Sequence, residues 1–214
     1  PKYNFVEASR SGVSLIESLE IISKLDTLNP YFHLIYLSDS DFTESISNIS
    51  RKKDILQVDL DKNIILNGEL KAPFFKNILY NWKGLYFLYN RYNTIQAKKS
   101  KFIKNIDEKN NRISENHFPL CNDLLNFITS NYKTSKLIFV FRPESSQNLI
   151  QLVESKGITT IKLERKEKEN WSFEFDKHWT CSGHSFAAKQ VAKKIKHILK
   201  KDMRIINKVP NLNQ

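Results

Sequence analysis

Two stretches of this chain, Phe32-His-Leu-Ile-Tyr-Leu37 and Lys136-Leu-Ile-Phe-Val-Phe141, are almost unbroken apolar runs. A strand with one face in water alternates apolar and polar residues. A run without that alternation marks a strand covered on both faces, as in a parallel sheet flanked by helices. The neighbouring segments fit such a sheet. Val13 to Leu25 places Leu15, Ile16, Leu19, Ile22 and Leu25 at helical spacing behind Ser14, with Glu17 three residues on as in a capping box. Leu124 to Tyr132 and Ser146 to Ser155 predict helices, the second closed by Gly157. Ile158 to Leu163 predicts a strand and Ser185 to Lys200 a last helix, while Tyr3 to Ala8 and Trp171 to Phe175 predict two further strands. Strand and helix alternate, so the class is α/β with a mostly parallel sheet.

Between Asn48 and His117 the rhythm breaks, and this span reads as an insertion. Ile55 to Leu66 predicts a short hairpin or an irregular stretch. Pro73 to Lys99 predicts a long helical region with Trp82, Tyr86, Phe87, Tyr89 and Tyr92, an aromatic stripe that could form a lid or a partner surface and is by default assigned to the core.

Composition narrows the classes of function. The 214 residues suffice for one domain with a substantial core, and 40% of them are hydrophobic. No apolar run is long enough to span a membrane, and there is no hydrophobic signal core near Pro1. Cys121 and Cys181 alone make no disulfide framework, so a reducing, cytoplasmic compartment is favoured. The net charge of +11 is concentrated in Lys98 to Lys109 and Lys189 to Arg204. These runs read as solvated faces. The terminal run has no interleaved aromatics to form a stacking platform, and nucleic acid is not an expected partner.

The chemistry-bearing segment is Asp176-Lys-His178-Trp-Thr-Cys-Ser-Gly183-His184. A carboxylate two residues from an imidazole can accept from one ring nitrogen and fix the tautomer. The other nitrogen is then left to take a proton from a nucleophile. An isolated pair of this kind also arises by chance. His178, Cys181 and His184 are evenly spaced by three and Asp176 adds an oxygen, but zinc sites usually draw a second ligand pair from a distant segment. Cys121 has no partner nearer than His117, so neither metal nor cofactor is expected. Ligands of an open parallel sheet bind beyond the carboxyl ends of its strands. Ser9 to Gly12, Ser38 to Asp41 and Asp176 to His178 all follow predicted strands, so they are expected on one edge of the sheet.

Three blocks in this order resemble the SGNH (GDSL-type) serine hydrolases. Asp176-x-His178-Trp-Thr-x-x-Gly183-His184 followed by Ala187-Ala188 is similar to that family's terminal Asp/His block and is the most specific of the three. Val6-Glu-Ala-Ser-Arg-Ser-Gly12-Val-Ser looks like its glycine block, and Ile35-Tyr-Leu-Ser38-Asp-Ser40-Asp41-Phe42 like its third. The resemblance implies a flavodoxin-like three-layer sandwich over residues 1–214, with 48–117 as a helical insertion. It implies an esterase or acyltransferase acting on an acylated small molecule or carbohydrate. His178 would be the general base and Asp176 its orienting carboxylate, with the Gly12 N–H and Ser40 contacting the oxyanion.

The chain departs from the family in several places. Ser40 stands where the family has an asparagine, the Asp-His spacing is two where three is more usual, and no residue matches the Gly-Asp-Ser nucleophile. In the flavodoxin-like order the missing strand separates Tyr3–Ala8 from Phe32–Leu37, so about forty to fifty residues, serine included, are expected upstream of residue 1. A rival places the nucleophile at Ser9 or Ser11, but no glycine block would then follow. A third reading is a catalytically inactive relative that binds glycan or an anionic partner.

Overall fold

The computed structural model describes residues 4–8, 13–68, 115–166, 169–173 and 178–206, together with 78, 81, 82, 84, 87 and 91; of 115 and 201–206 it describes the backbone. In chain order the elements are α1 (Leu15–Leu25), a 3-10 turn (Asp26–Leu28), β1 (His33–Leu37), α2 (Asp39–Glu44), β2 (Gln57–Asp59) and β3 (Ile64–Leu66). A second 3-10 turn (Glu115–His117) leads into α3 (Phe118–Asn131), followed by β4 (Leu137–Phe141), α4 (Gln147–Ser155), β5 (Thr159–Lys162) and α5 (Cys181–Ile206). The class is α/β, and its parallel sheet is compatible with flavodoxin-like layering. The chain divides into two compact units, one of residues 1–30 and 39–133, the other of 31–38 and 134–214.

In the first unit α1 forms where its periodicity predicts. Ser14 caps it, its Oγ accepting the Glu17 N–H at 3.2 Å, while Leu15, Ile16 and Leu19 are buried. In α3, Cys121, Leu124, Leu125, Phe127 and Ile128 are buried, and the Tyr132 hydroxyl behind the helix donates to Glu20 Oε1 at 2.7 Å. The predicted hairpin is present, with β2 and β3 antiparallel in the register Val58↔Ile65. Its hub is Gln57, a buried amide with every valence used. Its Oε1 accepts from the Lys52 N–H (2.7 Å) and Arg51 (3.0 Å), and its Nε2 donates to the carbonyls of Glu44 and Ser50, both at 2.8 Å.

In the second unit the sheet runs β1-β4-β5, all parallel, in the register Tyr36↔Val140↔Ile161. All five residues of β4 are buried, as its unbroken apolar run requires of a central strand. Side chains alternate across a strand, so Ile138, Val140, Ile161 and Leu163 share a face. They form one core cluster with Trp171 and with Ala187 and Val191 of α5. The helix α4 packs on β5 and ends at Gly157, whose φ of +77° supplies the left-handed residue that closes a helix. On α5, Ala187 and Val191 are buried, while Lys189, Lys193, Lys196 and Lys200 are exposed at spacings of four, three and four. Those spacings align the four ammonium groups in one ridge.

Several expectations are corrected. Asn4 to Ala8 form no strand, and Phe5 and Val6 are 82% and 70% exposed. Among the described residues no strand pairs with them, and β-propensity alone does not make a ladder. Ser38 to Asp41 is not an open turn, because α2 begins at Asp39. Short acidic and hydroxyl residues favour a helix's first turn as readily as a loop. Trp171 to Phe173 add no strand to the parallel sheet and make a single antiparallel bridge, Ser172↔Trp179; Glu174 and Phe175 lie outside the described residues. The last helix starts four residues before Ser185. Within Pro73 to Lys99, residues 78, 81, 84, 87 and 91 are helical, but Trp82 and Phe87 are 65% and 61% exposed and so are not core. Tyr86, Tyr89 and Tyr92 lie outside the described residues. No helix among the described residues is long and apolar enough to cross a membrane.

Candidate functional site

The segment that carries His178 is built from backbone pairing. The Thr180 N–H donates to the Trp171 carbonyl at 2.9 Å and the Phe173 N–H to the His178 carbonyl at 3.2 Å. These two bonds bracket the Ser172↔Trp179 bridge. The chain therefore doubles back on itself immediately before α5, and His178 is left exposed at the end of the pairing. Thr180 then starts the helix: its Oγ1 accepts the Gly183 N–H at 3.0 Å, its hydroxyl donates to the Asn170 carbonyl at 2.8 Å, and its carbonyl accepts the His184 N–H at 3.0 Å. A β-carbon on Gly183 would stand 2.2 Å from the Trp171 carbonyl oxygen. The glycine of the block is thus where helix backbone and turn backbone touch.

Around this turn lies an aromatic cluster near the carboxyl ends of β1 and β4. The Trp179 ring meets Trp171 edge-on at 5.5 Å, Tyr36 at 6.3 Å and His184 at 5.5 Å, and Arg142 Cζ lies 5.7 Å from its centroid. Such pairings orient an indole more tightly than contact area alone. Trp171 is buried and anchors the group, its Nε1 donating to Glu169 Oε2 at 2.9 Å, a bond that holds the Glu169 carboxyl below its usual range. Burial pushes the Tyr36 phenol above its ordinary value.

His178 therefore lies on a described, hydrogen-bonded turn of the second unit. Ser40 lies in α2 of the first unit, exposed, its carbonyl accepting from Thr43 Oγ1 at 3.1 Å. Asp176, Gly12, Ser9 and Ser11 lie outside the described residues. Of the evenly spaced triplet, Cys181 is the first residue of α5 and is exposed, and His184 packs on Trp179. Among the described residues no group of three His, Cys, Asp or Glu side chains is arranged to hold a metal ion.

Arg142 follows directly on the apolar run that ends at Phe141, and its side chain is given no role from the sequence alone. The available signal was a cation directly after an apolar run, at the end of a parallel strand where ligands collect. No protein-family model, curated protein or solved structure matches this chain.

Proposed function

We propose that this chain is the body of a serine-dependent ester hydrolase or acyltransferase in which His178 is general base and then general acid. What carries the reading is the construction of the His178 turn. Two backbone bonds, the Thr180 cap and the Trp171–Gly183 contact fix the backbone at an exposed His178 and directly after it. A positioned imidazole accepts the proton of an attacking hydroxyl and returns it to the leaving group. Asp176, two residues away, is assigned to orient the ring, and the Gly12 N–H with the Ser40 hydroxyl to stabilise the oxyanion. The substrate class is an O-acylated small molecule or carbohydrate. No residue of the 214 is assigned as the nucleophile.

The test uses the full-length gene product. Covalent labelling by a fluorophosphonate probe is expected, together with turnover of p-nitrophenyl acetate. In His178→Ala, turnover is expected to fall by roughly three orders of magnitude with an unchanged circular dichroism spectrum. Full activity in that variant removes the assignment of His178. Absence of labelling in the wild type favours instead the inactive, ligand-binding relative.

A further inference from the structure

We propose that the Arg142–Trp179 pair is an oxyanion-binding subsite, taking the carboxylate or phosphate of a small-molecule ligand beside His178. The argument begins with what the guanidinium lacks. Arg142 is the first residue after β4, its backbone N–H donating to the Leu37 carbonyl at 3.3 Å, so its position is set by the sheet. Its side chain is 36% exposed and lies beside the Trp179 ring. A guanidinium carries five N–H donors in a rigid fork. Among the described residues none of the five makes a hydrogen bond, and the guanidinium's ion pair, from Nη1 to Oε1 of the more exposed Glu144, is long at 3.8 Å. A half-desolvated cation with an unfilled fork, held beside an aromatic ring, is prepared for an anion that reaches both of its donor edges.

Two further polar groups of this unit also lack a hydrogen-bond partner among the described residues. The Tyr36 ring meets the same indole edge-on at 6.3 Å, and its hydroxyl, on a half-exposed residue, makes no hydrogen bond among the described residues. The turn that Arg142 opens closes with the Ser145 N–H on the Arg142 carbonyl at 3.1 Å. That turn also holds Ser145 Oγ, a buried polar atom with no partner among the described residues. Native proteins rarely leave buried polar atoms unpaired, and orphans mark places where an absent molecule completes the bonding. A neutral ligand would leave the guanidinium as it is, whereas an oxyanion fills the fork. In the proposed esterase, Arg142 would select acyl esters of acidic molecules; only in calling the ligand a substrate does this rest on the hydrolase reading.

The experiment is calorimetric titration of the full-length protein with glucuronic acid, glucose 6-phosphate and glucose, in wild type, Arg142→Gln and Arg142→Lys. At least one acid is expected to bind ten-fold or more tightly than glucose. Arg142→Gln is expected to remove at least ten-fold of that affinity while leaving glucose unchanged, and Arg142→Lys to recover part of it through charge without the fork. Which acid wins identifies the oxyanion. Equal binding of acids and glucose by the wild type, or undiminished acid binding by Arg142→Gln, overturns the proposal. The same preparations are labelled with the fluorophosphonate probe. Labelling without acid binding defeats the subsite alone, and acid binding without labelling defeats only the hydrolase reading.

Discussion

The two cysteines are identical in chemistry and opposite in situation. Cys121 is fully buried in α3, and burial, aided by the nearby Asp39 carboxylate, pushes its thiol up to about 12. Cys181 is exposed at the first position of α5. Because the thiolate is the reactive form, a buried thiol at neutral pH is inert. With Ellman's reagent at pH 8, one thiol per chain is expected to react quickly and the second only after denaturant is added. Cys181→Ser should abolish the fast phase. Two fast thiols in the native protein would contradict the burial of Cys121.

At the scale of elements, α5 is docked by what Gly183 lacks. Any side chain there meets the Trp171 carbonyl, so Gly183→Ala must push the first turn of the helix off the backbone that pairs with Thr180. Overpacking of this kind costs about 1–3 kcal/mol. A urea midpoint lowered to that extent is expected, and an unchanged midpoint would show that the contact carries no load. Much of the fold was legible from such local rules. The Ser14 cap with its apolar periodicity located α1, and unbroken apolar runs located β1 and β4. Where the reading failed, the deciding partner was not local. Tyr3 to Ala8 has strand composition, but composition cannot supply a neighbouring strand. Trp171 to Phe173 pair with residues a few places ahead of them in the chain and not with the sheet. Trp82 and Phe87 have core chemistry on an exposed helical segment. Of the site, the His178 block was legible because its residues are contiguous. The Arg142–Trp179 pair was not, because it joins a strand end to a turn thirty-seven places later.

For the molecule as a whole, alkaline pH is the direction of weakness. The Cys121 thiol is raised from its ordinary 9.0, and the Tyr132 phenol is raised by burial and by its bond to Glu20. Both groups are neutral in the fold and ionise more easily in the unfolded chain. Their contribution is therefore complete below pH 9 and is lost as pH rises towards 12, on the order of 1 kcal/mol per pH unit for Cys121 alone. Urea midpoints at pH 8, 9.5 and 10.5 should fall in that order, with a shallower fall in Cys121→Val. A flat profile in the wild type would contradict the sign. Ionic strength acts the other way, through the ridge of Lys189, Lys193, Lys196 and Lys200. Like charges one turn apart oppose a helix by roughly 0.2–0.5 kcal/mol per pair, and salt screens them. Mean ellipticity at 222 nm is expected to grow more negative between 10 and about 300 mM sodium chloride, within the range where screening reaches one helical turn. A loss of helicity would run against the ridge. The dissolved ions around this last helix thus act as part of its scaffolding, and dilution takes that support away without breaking a bond.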